Sequence, residues 1–115
     1  MEAVALRFGE VDRQLVEATR STGEVIATGG ALLHSPAWMQ MMADVLGRPV
    51  LASSEREASS RGASLLALEA LGQLPRPLDT FPPRVDRRFE PVAEHTERYR
   101  LAADRQRRLY DALIA

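Results

Sequence analysis

The run Ala27-Thr28-Gly29-Gly30-Ala31-Leu32-Leu33-His34-Ser35-Pro36-Ala37-Trp38 constrains the fold more than any other part of this chain. It reads as the end of a buried strand, a glycine turn and the capped start of a helix. Ser35 stands at the N-cap and Pro36 at the first helical position, where a missing N–H costs nothing. Trp38, Met41, Met42 and Val45 then share one helical face until Gly47 stops the helix. Pro49-Val50-Leu51-Ala52 forms a second β-rich run after the first at Glu24 to Thr28.

The flanking segments complete the order. From Met1 to Arg20, Val4, Phe8, Val11, Leu15 and Ala18 recur at helical spacing, with Arg7, Glu10, Arg13, Gln14 and Glu17 on the other side. That is a one-sided amphipathic helix, ended by Ser21-Thr22-Gly23. It opens without a capping residue, so the chain is expected to begin inside a larger unit. Ser54-x-x-Glu57 has capping-box spacing and predicts a helix over about 55–71, with Gly72 at its end. Residues 73–90 are rich in Pro and Arg and read as an extended connection. A last helix over 91–115 carries Tyr99, Ala102, Leu109, Tyr110 and Leu113 on one stripe.

This α-β-α-β-α order plus a C-terminal helix is α/β architecture, with two parallel strands joined by a right-handed crossover. Two parallel strands make too small a sheet, because parallel sheets are buried on both faces and need more strands. The remaining strands are expected from an absent part of the polypeptide or from another subunit. A chain of 115 residues allows one domain or part of one. With 45% hydrophobic and 5% aromatic residues its core is aliphatic. A net charge of -1 gives no general attraction to nucleic acid or to an anionic membrane. No cysteine is present, which excludes disulfides and thiolate metal sites. No apolar run approaches a membrane span, and a cytoplasmic location is expected.

The chemistry-bearing residues gather at the glycine turn. Thr28-Gly29-Gly30 lacks the Cβ atoms that would bar a nucleotide from the backbone, and the following helix dipole favours phosphate. The same dipeptide is equally a turn that needs positive φ. It is neither a Walker loop, since no Gly-Lys-Ser or Gly-Lys-Thr follows, nor a GxGxxG fingerprint. Ser35 caps the helix, while His34 either donates to a base or ribose or lies in solvent. Ala58, Ser59, Gly62 and Ala63 give the third helix a small-residue face for close packing, or a flat wall beside an adenine ring. Glu57 is accounted for by the capping box, whereas Asp44 near a helix C-terminus has no local reason. His34 and His95 have no carboxylate at ligand spacing, which argues against a metal site. The C-terminal arginines alternate with Glu and Asp and read as a solvated, mixed-sign face.

As a set, Thr28-Gly29-Gly30-Ala31, Ser35-Pro36-x-Trp38-x-Gln40, Ala43-Asp44-Val45-Leu46-Gly47-Arg48-Pro49-Val50 and Glu57-Ala58-Ser59-Ser60-x-Gly62-Ala63 resemble the C-terminal domain of FGGY carbohydrate kinases. The final stretch from Phe89 to Leu113 resembles that family's last helix. The Gly-Gly-Ala-Leu-Leu form and the Glu-Ala-Ser-Ser-Arg-Gly-Ala run look closest to gluconate kinases, with xylulose and glycerol kinases as near alternatives. The resemblance implies a partial actin-like ATPase (ribonuclease H-like) domain. Residues 1–72 would be the second half of the nucleotide-binding domain, 73–90 a connection and 91–115 the closing helix. It implies that Gly29, Gly30 and Ala31 lie against the adenosine and α-phosphate of ATP, with His34 or Ser35 reaching the base or sugar. The family's phosphate loop, sugar site and catalytic Asp have no match here. The resemblance therefore implies ATP with Mg²⁺ in a full-length parent, and no catalytic residue or kinase activity in this chain alone. The implied partners are the missing N-terminal kinase region or a second copy of the chain. The alternative is a stand-alone nucleotide-binding or assembly module.

Overall fold

The computed structural model describes residues 1–114; the last residue of the expected closing helix, Ala115, lies outside them. Helix α1 (Glu2–Thr19) leads into strand β1 (Val25–Ala27), a single turn α2 (Gly30–Leu33) and helix α3 (Pro36–Leu46). Strand β2 (Val50–Ser53), helix α4 (Ala58–Ala70), a 3-10 turn at Leu78–Thr80, strand β3 (Val85–Phe89) and helix α5 (Ala93–Ile114) follow.

Local chemistry sets most of these boundaries. Ser35 Oγ accepts from the Trp38 N–H at 3.3 Å and Pro36 occupies the first turn of α3. Gly47 closes α3 at φ 64°, its N–H donating to Ala43 O at 2.9 Å. Gly72 ends α4 at φ 67°. One helix end is set by an unexpected residue, and one expected cap is absent. α1 stops at Arg20, a non-glycine residue at φ 53°, before Ser21-Thr22-Gly23 is reached. The capping box at Ser54 and Glu57 does not form. Ser54 N–H instead donates to Arg84 O at 2.9 Å, continuing the sheet, and α4 begins only at Ala58, with no side-chain cap.

The sheet has the order β1-β2-β3. β1 and β2 pair in parallel, with Val25 opposite Val50 and Ala27 opposite Ala52. The connection 73–90 holds what its composition did not announce: a third strand, antiparallel to β2, with Val50 opposite Phe89 and Ala52 opposite Arg87. β2 is thereby central, and all four of its residues are buried. α3 lies on this sheet and buries Met39, Met42 and Ala43 against Val50, Ala52 and Ala27.

α1 packs on α3, but not through the expected row. Ala5 is its one fully buried residue, and a Cβ on Gly9 would come within 2.9 Å of Val45 Cγ1. The small residues let the two helices approach closely, and Asp12 pairs with Arg48 beside them. Val4, Phe8, Val11 and Leu15, lying roughly a quarter turn around the helix, remain 43–56% exposed. α4 is also not pressed against the sheet: none of its residues is buried, and a Cβ on Gly62 would meet nothing within 4 Å. The radius of gyration is 16.9 Å, against about 13 Å for a compact domain of this length. The chain is extended because several apolar surfaces find no partner among the described residues.

Candidate functional site

The register that aligns Ala27 with Ala52 brings the C-terminal ends of the two parallel strands to one edge, where open α/β sheets bind ligands. From this edge the chain leaves β1 through Thr28 into Gly29, at φ 96° and ψ 134°, a conformation open essentially to glycine alone. A Cβ built there would meet nothing within 4 Å. Gly29 is thus required for its backbone angles, and its Cα face is also bare.

The glycine turn does not run straight into α3. Gly29 O accepts from Leu33 N–H at 3.1 Å and Gly30 O from His34 N–H at 3.0 Å, which winds residues 30–33 into the single turn α2. The N-terminus of α3 lies beyond it and is closed by Ser35. The expected free N–H groups of that helix are therefore partly satisfied by the chain itself. The His34 ring folds back over Gly30, with Nδ1 and Cε1 at 3.6 and 3.7 Å from where a Cβ would stand. Gly29, Gly30, Ala31 and His34 are exposed, while Ser35 is half-buried. These five residues form one continuous, mostly open wall.

Sequence reasoning missed one neighbour of this wall. Arg87 of β3 carries its guanidinium over the Phe89 ring at 5.4 Å and directs Nη2 to Leu33 O, the end of α2, at 3.5 Å. The sole sequence signal was an arginine in a stretch read as a connection.

Two other polar clusters lie away from the glycine turn. Glu55 Oε1 is shielded from solvent without a hydrogen bond, with Arg61 Nε and Arg84 Nε each 3.6 Å away. Asp44 is 3% exposed, and its carboxylate accepts from Val92 N–H at 2.8 Å and from Gln40 Nε2 at 2.9 Å. His95 Nδ1 lies 3.0 Å from its other oxygen. The locally unexplained Asp44 is therefore the cap of α5, supplied from α3. Its negative charge sits at the positive end of that helix.

A groove of about 360 Å³ between α1 and α5 is lined by Glu2, His95 and Tyr99 among others, and burial pushes the Tyr99 phenol pKa up. A second, of about 520 Å³, runs beside Gly9 and Arg48. Neither includes the glycine turn, which is an exposed crest rather than an enclosed cavity. Among the described residues no group of three His, Asp or Glu could hold a metal ion, and no helix is long and apolar enough to cross a membrane.

Residues 1–71 match the C-terminal domain of the FGGY family of carbohydrate kinases. A glycerol kinase of Dechloromonas aromatica is 35% identical over 106 residues, covering 90% of this chain and 21% of that protein. A ribulokinase of Mycolicibacterium smegmatis is 33% identical, covering 86% of this chain and 18% of its own length. The crystal structure of xylulose kinase from Rhodospirillum rubrum superposes on 97% of the chain and 23% of its own, with a TM-score of 0.78 and 30% identity. The chain spans about a fifth of the length of these relatives. The expected architecture, a partial actin-like α/β domain, is the one found.

Proposed function

The chain belongs to the FGGY family of carbohydrate kinases, and from that premise we propose that it forms the adenosine-side wall of an ATP-dependent sugar kinase. Gly29, Gly30 and Ala31 present backbone to the adenosine and α-phosphate, while His34 or Ser35 stands toward the base and sugar. The observation that carries this reading is Gly29. Its backbone is held at φ 96° with no atom near its Cα face, so a flat ligand can rest directly on the main chain. Gluconate is the proposed acceptor of the parent enzyme, on the likeness of the Gly-Gly-Ala-Leu-Leu and Glu-Ala-Ser-Ser-Arg-Gly-Ala runs; xylulose and glycerol are the alternatives.

Phosphoryl transfer needs Mg²⁺-bound phosphates and a positioned hydroxyl. The chain has no residue matching the family's phosphate loop or catalytic Asp, so its part is binding and orientation, and alone it is inactive. In the parent enzyme Mg²⁺ would be held by the nucleotide's phosphates, where it would neutralise their charge. The kinase's N-terminal region is the proposed partner, joining at the free edge of β1, and the location is cytoplasmic. In its absence the apolar row of α1 pairs copies of the chain.

Titration of the ¹⁵N-labelled chain with MgADP tests the site. Shifts confined to residues 28–35 are expected at millimolar nucleotide. A folded chain whose amides do not move, or move only elsewhere, refutes the reading. A coupled assay with gluconate, xylulose and glycerol should show no turnover, and turnover by the chain alone would refute its passive role.

A further inference from the structure

We propose that Arg87 is the residue on which this chain stacks the base of the nucleotide, its guanidinium covering the ring from the β3 side of the glycine turn. This rests on the nucleotide reading above and adds a residue to it.

The placement follows from register. Arg87 and Phe89 are two residues apart on β3 and share a face. Phe89 packs against the core under α3, so Arg87 lies on the face from which α2 and α3 rise. Its Nη2 approaches Leu33 O, one helical turn from Gly30, or about 5 Å. Its neighbours are engaged with carboxylates: Arg88 with Glu90 and Arg84 with Glu55. Arg87 has no carboxylate partner among the described residues and remains exposed.

The direction of the ligand decides which part of it Arg87 meets. β1 lies at one side of the sheet and β3 at the other. The phosphates must lie toward the catalytic region that this chain does not supply, and that region joins at β1. The opposite end of the nucleotide, its base, therefore extends toward β2 and β3. A guanidinium is planar, weakly hydrated and stacks on aromatic rings, as Arg87 already does on Phe89. The His34 ring over Gly30 gives the base a second flat surface.

Calorimetric or NMR titrations of wild type, Arg87→Ala and Arg87→Lys with MgADP and with magnesium tripolyphosphate test this. Arg87→Ala is expected to weaken ADP binding by about three- to thirtyfold, to leave tripolyphosphate binding unchanged, and not to be rescued by Arg87→Lys. Equal ADP affinity in wild type and Arg87→Ala overturns the proposal while leaving the glycine-turn reading intact. Parallel loss of tripolyphosphate binding, or full rescue by lysine, overturns stacking in favour of a charge on phosphate. A wild type that binds no ADP removes both readings. Should Arg87→Ala not fold, Arg87→Gln keeps the stem and carries the same expectations.

Discussion

The sharpest stability prediction concerns Asp44. Its buried carboxylate holds the first turn of α5 on α3 through Val92 N–H at 2.8 Å, while Gln40 Nε2 at 2.9 Å and His95 Nδ1 at 3.0 Å hold the carboxylate itself. Asp44→Ala strands the Val92 donor and leaves the start of α5 without its cap. A hydrogen bond to a charged acceptor contributes about 1.5–3 kcal/mol, and a lost N-cap costs about 0.5–2 kcal/mol. These overlap here, because the Val92 bond is the cap. Gln40 keeps Glu90 O at 2.7 Å, and the half-exposed His95 regains water, so both add little. The expected cost is about 1.5–3 kcal/mol. Asp44→Asn, which keeps one oxygen for Val92, should cost about 1 kcal/mol. Urea unfolding followed by circular dichroism measures the total. Hydrogen exchange over residues 90–100 separates local release of α5 from global loss, with release speeding exchange by about ten- to a hundred-and-fiftyfold. An Asp44→Ala chain within 0.5 kcal/mol of wild type, with unchanged exchange over that segment, would refute the capping account.

Arg20→Gly should stabilise the chain by about 0.5–1 kcal/mol, since φ 53° strains an L-residue and suits glycine; an unchanged melting temperature would count against it. The chain should self-associate at tens of micromolar and Leu15→Arg should make it monomeric, because the exposed Val4, Phe8, Val11 and Leu15 follow the four-three-four spacing of a helix-pairing seam; sedimentation that gives a wild-type monomer ends this idea. Hydrogen bonding from Arg13 lowers the Glu10 pKa from 4.5 to about 2. Its small stabilisation, with Arg107 of α5 at 3.3 Å, is present above the unfolded carboxylate pKa and fades as pH falls toward 2. A ¹³C titration should return Glu10 toward 4.5 in Arg13→Ala, and a carboxyl that stays near 2 there contradicts that cause.

What could be read in advance was what neighbouring residues decide among themselves. Ser35-Pro36, Gly47 and Gly72 mark helix ends by their own chemistry, and each does so in the structure. Gly29 announces its turn because no other residue adopts that backbone readily. Reading failed where the deciding partner is distant. Ser54 has capping-box spacing, but its N–H was taken by Arg84, thirty residues on. The α1 row was legible as a stripe, yet periodicity does not say which flank finds a partner; Ala5 and Gly9 won because they allow α3 to come close. Asp44 had no meaning within its own helix, and its partners Val92 and His95 stand 48 and 51 residues away. β3 and Arg87 stayed hidden because Val85-Asp86-Arg87-Arg88-Phe89 has no apolar alternation, and only the unpaired side of β2 makes it a strand.

The two edges of the sheet differ in a way that bears on the proposed function. β3 carries three charged, exposed residues, Asp86, Arg87 and Arg88, and follows Pro82-Pro83, features that discourage further pairing. β1 offers Val25-Ile26-Ala27, uncharged and with nothing paired on its outer side among the described residues. A sheet closed by charge on one side and bare on the other can be extended in one direction only. The glycine turn leaves the bare strand, so added strands would emerge beside Gly29 and supply the facing wall that the crest lacks. The nucleotide would then lie along the edge of the enlarged sheet, its phosphates over the added strands and its base over β2 and β3. On the proposed function, the chain would contribute the end of the site that recognises the nucleotide and leave the chemistry to strands added at β1.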